Sequence, residues 1–204
     1  MKKLSIFLCF IVFGVSSAFG QNGAIGVFAD QAGTDPCGLA DKAPGVKNYY
    51  VVHVYALGAT ASQFMARAPW CLRGQHLADI TPFPVVFGSS QYGIAINYGS
   101  CRTGSFPILT MVFLTTGLTP DCCCWDVTPD PAVPSGRIEV ADCDYNLTYG
   151  TGGRGIINST VDCQCFVCAS PACLQAFYAQ RTGCLLPVPA DEDTWGRVKQ
   201  LYSD

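Results

Sequence analysis

The chain has 204 residues, of which 13 are cysteine and only 13% are charged, with 12 Lys+Arg against 15 Asp+Glu. The basic residues are scattered singly, so there is no patch to displace counterions from a phosphate backbone, and nucleic-acid partners are excluded. Half of the residues are hydrophobic, but no run is long enough to span a bilayer, which takes about 20 apolar residues.

Residues 1–20 have the form of a signal peptide. Lys2 and Lys3 precede an apolar run from Leu4 to Val15, and Ala18-Phe19-Gly20 fits the small-x-small cleavage rule. Cys9 sits inside the apolar run with no small-residue box before it, so lipidation is not expected. Cleavage after Gly20 leaves 204 − 20 = 184 residues beginning at Gln21. Loss of Lys2 and Lys3 leaves 10 basic against 15 acidic residues, a formal net charge of −5. Such a chain is long enough for one sizeable core and is bound for a secreted or cell-surface location, extracellular or periplasmic.

Short period-2 segments then dominate. Ala24 to Phe28, Tyr49 to Ala56, Thr60 to Met65 and Phe83 to Phe87 are candidate strands. Tyr92, Ile94, Ile96 and Tyr98 alternate with small or polar residues, as in a strand with one buried face. Ile108 to Leu114 is apolar on both faces and suits a central strand, and Ile138 and Val140 alternate with Arg137 and Glu139. Turn signals at Pro44-Gly45, Gly58, Gly88-Ser89-Ser90, Gly99, Gly117 and Pro134-Ser135-Gly136 separate these segments. The expected fold is all-β: an antiparallel β-sandwich, immunoglobulin-like or jelly-roll-like, over residues 21–160. A cysteine-rich segment at 161–187 forms a disulfide-held appendage, and 188–204 supplies a Pro-spaced linker and a short helical tail. In that tail Trp195, Val198, Leu201 and Tyr202 share one side and form a candidate docking element.

The mature chain keeps twelve cysteines: Cys37, Cys71, Cys101, Cys122, Cys123, Cys124, Cys143, Cys163, Cys165, Cys168, Cys173 and Cys184. An even number in an exported chain points to structural disulfides, whose pairing the sequence leaves open. Neighbours in the Cys122–Cys124 triplet point to opposite sides of an extended segment and so serve different partners. The competing reading is a thiolate metal site. Only Cys165-x2-Cys168 has knuckle spacing and no second knuckle follows, so no metal or cofactor is expected.

Other motifs fall short of a site. Gly150-Thr151-Gly152-Gly153-Arg154-Gly155 fits a dinucleotide pattern but opens no helix, and is expected to be a glycine-rich loop. Asp142-x-Asp144-x-Asn146 starts like a calcium loop, but Leu147 stands at the glycine position and Gly153 at the bidentate glutamate position. Asp30, Asp35 and Asp41 are a looser cation possibility, with solvated loop carboxylates preferred. His53 is placed on a strand face with Tyr49, Val51 and Tyr55, and His76 in a loop three residues before Asp79. No nucleophile elbow accompanies either, so hydrolase chemistry is the alternative and not the expectation. Glu139 and Glu192 are the only glutamates, which leaves glycosidase chemistry to unassigned aspartates. Asn146-Leu147-Thr148 and Asn158-Ser159-Thr160 are glycosylation sequons.

Four phrases occur together: Gly58-Ala59-Thr60-Ala61-Ser62-Gln63-Phe64, Pro129-Asp130-Pro131-x-Val133-Pro134-Ser135-Gly136, Gly150-Thr151-Gly152-Gly153 with Gly155-Ile156-Ile157-Asn158, and Thr194-Trp195-Gly196-x-Val198-Lys199-x-Leu201-Tyr202. In these the chain resembles a group of secreted proteins of environmental bacteria, over most of residues 24 to 165 and the tail. The extra cysteines of 166–187 depart from that group. The resemblance implies one exported β domain with a short C-terminal motif, and it implies no activity. The sequence thus leads to a non-enzymatic structural or interaction protein whose partners are itself or other extracellular or cell-surface proteins. Secreted hydrolase, carbohydrate-directed enzyme and thiolate metal binder are the alternatives.

Overall fold

The computed structural model describes residues 21–163. The expected signal segment, Cys165, Cys168, Cys173, Cys184 and the tail residues Trp195, Val198, Leu201 and Tyr202 lie outside the described residues.

Nine strands follow one another: β1 (Gln21–Phe28), β2 (Pro44–Phe64), β3 (Gly74–Ile80), β4 (Val85–Ser89), β5 (Gly93–Thr116), β6 (Cys123–Asp126), β7 (Ile138–Ala141), β8 (Leu147–Gly152) and β9 (Arg154–Ile157). A 3-10 turn at Val161–Cys163 ends the described chain. The fold is an all-β sandwich, and its two layers are sewn together by β2 and β5. Each of these is one long strand where the sequence suggests two. Gly58 and Gly99 do not end strands; they lie where the paired β2 and β5 turn the corner from one layer to the other. Register shifts mark that corner between His53 and Ala61.

The front layer holds β1, the first half of β2, the second half of β5, and β3. The back layer holds β8, β7, the second half of β2, the first half of β5, and β4. One flank is sealed because β1 also pairs with β8, so that β1, β2, β7 and β8 form a closed circuit. That pairing is parallel, a departure from the antiparallel expectation. β6 and β9 form a separate two-stranded sheet.

The core collects inward residues of both layers, including Ile25, Val27, Tyr49, Val51, Met111 and Phe113 from the front and Phe64, Ile94, Ile96, Ile138 and Val140 from the back. A bulge between Val51 and Val52 lets Ile108 and Leu109 both turn inward. Trp125 in β6 lies edge-on to Tyr49 and Phe113, at 5.1 and 5.3 Å between ring centroids, and its indole N–H donates to the Ala66 carbonyl at 3.1 Å. A smaller apolar cluster of Ala24, Phe28, Val52 and Val54 lies on the outer face of the front layer.

The glycine-rich run 150–155 is not a loop but passes from β8 into β9. A Cβ at Gly152 would sit on the Val127 carbonyl oxygen, and one at Gly155 would meet Leu39 and the Val27 carbonyl. These glycines therefore serve close backbone approach, not phosphate binding.

Candidate interaction surface

The two histidines were the only starting points for acyl-transfer chemistry, and the fold accounts for both. His53 points into the core with Tyr49 and Val51 and is fully buried. Tyr55 does not share that face: the corner bulge gives it a φ of 55° and packs it against the small outer cluster. The Asn22 carbonyl accepts from His53 Nε2 at 2.7 Å, which fixes the proton of the neutral ring there. Nδ1 faces the Tyr98 hydroxyl at 3.2 Å, and that hydroxyl lies 2.6 Å from Ser62 Oγ. Burial pushes the imidazolium pKa down to about 4, opposed in part by the bond to Asn22.

The unfolded chain binds a proton at His53 near pH 6.5 and the folded chain only near 4, so acid favours unfolding. The contribution of this group is full above about pH 6.5, falls as pH drops towards 4, and is gone below that. The expected loss is about 3 kcal/mol from this group. Urea unfolding from pH 7.5 to 4 measures it, and His53→Gln should flatten the slope. An unchanged slope in that variant would assign the acid sensitivity elsewhere.

His76 lies in β3, not in a loop. Its Nε2 is 2.9 Å from Asp79 Oδ1, and Ser90 Oγ donates to the same oxygen at 2.7 Å. Asp79 Oδ2 accepts from the Ser90 N–H and the Ser89 hydroxyl. The carboxylate thus stands between hydroxyl and imidazole, whereas a hydrolytic triad needs the imidazole in the middle. Ser90 is fully buried, so no substrate carbonyl reaches it. What the cluster does is mechanical: it ties β3 of the front layer to the β4–β5 turn of the back layer.

The remaining motif residues bond locally. Asp30 accepts from Thr34, and Asp35 from the Cys37 and Gly38 N–H groups. Buried Asp41 accepts from the Gly117 N–H and the Thr119 hydroxyl. Asp142 accepts from the N–H groups of Asn146 and Asp144, and the first of these contributes most to holding its carboxyl below the usual range. Among the described residues no three His, Cys, Asp or Glu side chains are grouped to hold a metal ion. Cys71 is bridged to Cys123, Cys101 to Cys143 and Cys122 to Cys163. Cys37 and Cys124 are disulfide-bonded as well. Cys122 and Cys123, adjacent in sequence, serve different partners. Bridges of this kind belong to an oxidising compartment.

The surface is more informative than the interior. On the outer face of the front layer, the cross-strand rows Val46–Leu114–Gln75, Asn48–Val112–Ala78 and Tyr50–Thr110–Ile80 contain no charged side chain. On the back layer the rows are Phe87–Ala95–Gln63–Glu139–Tyr149 and Val85–Asn97–Ala61–Ala141–Leu147. Charge in these rows is confined to Glu139 on β7, and Arg137, just before that strand, stacks on the Tyr149 ring. Val46, Leu77, Ile80, Val85, Leu114 and Leu147 are exposed, and Phe87 is 71% exposed. Tyr92, expected at the buried start of a strand, stands in the turn before β5 at 77% exposure.

The flank opposite the β1–β8 seal carries two edge strands, β3 and β4, each paired with β5 alone among the described strands. They differ. β3 has a bulge between His76 and Ala78 and carries the His76–Asp79 pair, both devices that discourage further pairing. β4 pairs with β5 in unbroken register, and the stretch from Ile80 to Cys101 contains no Asp, Glu, Lys, Arg or His.

No family model matches the chain, and no curated protein matches it. Among solved structures it is similar to a non-cellulosomal cohesin from the hyperthermophilic archaeon Archaeoglobus fulgidus, at 14% identity and a TM-score of 0.44, covering 66% of this chain and 89% of that one. It is also similar to a cohesin module from a Clostridium perfringens family 33 glycoside hydrolase, at 5% identity and a TM-score of 0.45, covering 69% and 100%. A third is the seventh ScaB type I cohesin from Pseudobacteroides cellulosolvens, at 12% identity and a TM-score of 0.41, covering 70% and 96%.

Proposed function

We propose that this chain is an exported, non-enzymatic structural or interaction protein that assembles with itself or into a cell-surface layer. The observation that carries the reading is the concentration of exposed apolar side chains on uncharged strand faces and edges, led by Phe87 and Val85 on β4. A soluble monomer scatters its exposed apolar residues singly; contiguous uncharged patches mark sites covered by another surface. The disulfides and the signal-like first twenty residues support a place outside the cytoplasm, where covalent bridges hold a weakly charged scaffold. No helix among the described residues is long and apolar enough to cross a membrane. Hydrolysis lacks support for the reasons of geometry given for His53 and Ser90.

Light scattering on oxidised residues 21–204 tests the assembly. The expected result is a mass that rises with concentration towards dimers or larger species. A strictly monomeric mass at high concentration, with no intermolecular bridge on a non-reducing gel, would overturn it.

A further inference from the structure

Resting on that reading, we infer that the assembly contact is β4 paired with β4 of a second copy, antiparallel about a two-fold axis, so that the back layers of two molecules become one continuous sheet. An edge strand presents a row of backbone donors and acceptors that another strand satisfies better than any other partner. Among the described residues this flank offers two edges, and of the two only β4 has neither a bulge nor a charged side chain, although it is short and follows Pro84. β3 is bulged and carries an ionisable pair, whereas β4 has an unbroken ladder to β5 and no charge.

The occupant follows from charge and symmetry. A two-fold contact sets each residue against the same patch on its copy, so any charge near the axis meets a like charge. The mature chain carries a formal −5, and copies of it repel one another in general. The uncharged span Ile80–Cys101, which contains all of β4, removes that penalty where the copies meet. The regular part of the edge is Val85–Phe87, because Gly88 leaves the extended region with a φ of +88°. Centred on Val86, an antiparallel pairing sets Val85 opposite Phe87 of the other copy and repeats the contact on the other side of the axis. Both side chains lie on the outer face in the same row system, so an aromatic–β-branched cross-strand pair forms twice.

The experiment uses oxidised protein spanning 21–204 and places lysines on the edge. The double variant Val85→Lys/Phe87→Lys should raise the concentration at half-association at least tenfold. Ile80→Lys on β3 and Val46→Lys on the front face should leave it within about twofold. In the unsubstituted protein, hydrogen exchange should slow as concentration rises at those amides of Val85–Phe87 that point away from β5. That readout decides the matter if the double variant does not fold. A monomeric unsubstituted protein would overturn this contact together with the assembly reading. Assembly that ignores the β4 lysines, or that leaves the outward-pointing amides of Val85–Phe87 unprotected, would overturn the contact alone.

Discussion

Trp125→Ala is expected to destabilise the fold by about 4 kcal/mol, the range for a fully buried indole. Trp125 sits where three parts of the molecule meet: its own short β6, Tyr49 of β2 and Phe113 of β5. Removing it deletes two edge-to-face ring contacts, opens a cavity that short flanking strands cannot close, and leaves the Ala66 carbonyl without its indole donor. Trp70 provides the control. At 76% exposure its replacement by alanine should change stability by less than about 0.5 kcal/mol. Denaturant unfolding of the two variants at pH 7 makes the comparison, and a loss below 1 kcal/mol for Trp125→Ala would remove it as the keystone of the core.

A comparable loss is expected from the double variant Cys71→Ala/Cys123→Ala. The bridge closes a loop of 52 residues containing β3, β4 and β5, and restoring that freedom to the unfolded chain costs about 4 kcal/mol in the chain-entropy description. Replacing both cysteines avoids a free thiol and keeps other pairings from scrambling. Cys101–Cys143, with a separation of 42, should be worth nearly the same on entropy alone. The two bridges differ in burial: Cys71 and Cys123 lie in the core, while Cys101 is exposed at the corner. Urea midpoints of the two double variants separate the contributions. Equal losses would assign the effect to the unfolded chain, and a clearly larger loss at Cys71–Cys123 would add packing. Near-wild-type stability of both would contradict the entropic account.

The strands whose side chains alternate cleanly were legible in the sequence, and the pattern held for Ile94, Ile96 and Tyr98 and for Ile138 and Val140. Period-2 alternation reports one buried face, and these strands have one. Glycine signals a turn, so the sequence divides each long strand in two, whereas Gly58 marks a bend within a strand. Its φ of +148° and its approach to Cys143 Sγ at 2.8 Å from an added Cβ show a residue accommodating the corner bridge. β3 is not legible in the sequence, because Gly74–Ile80 has no alternation: it is an edge, and its bulge shifts the phase halfway. β8 and β9 are not legible either, because glycine, needed for clearance against Val127 and Leu39, erases the apolar pattern that would announce a strand. His53 illustrates the same limit for sites. Its face was legible, but only the fold shows Asn22, Tyr98 and Ser62 converging on it from distant positions. The β4 edge was half legible, since the uncharged run 80–101 is visible in the sequence while its place at a sheet border is not.

The parallel pairing of β1 with β8 has a consequence for how the molecule is made. During synthesis, amino end first, β1 is the first of the described strands to appear. β2 can pair with it early, but its second neighbour, β8, is the last but one of the described strands to appear. Until residues 147–152 arrive, the flank that is sealed in the finished molecule is an open border, and Ile25 and Val27 are covered from one side only. The slowest step of maturation should therefore be closure of that seam, and the nascent chain is most in need of a chaperone's shelter just before it.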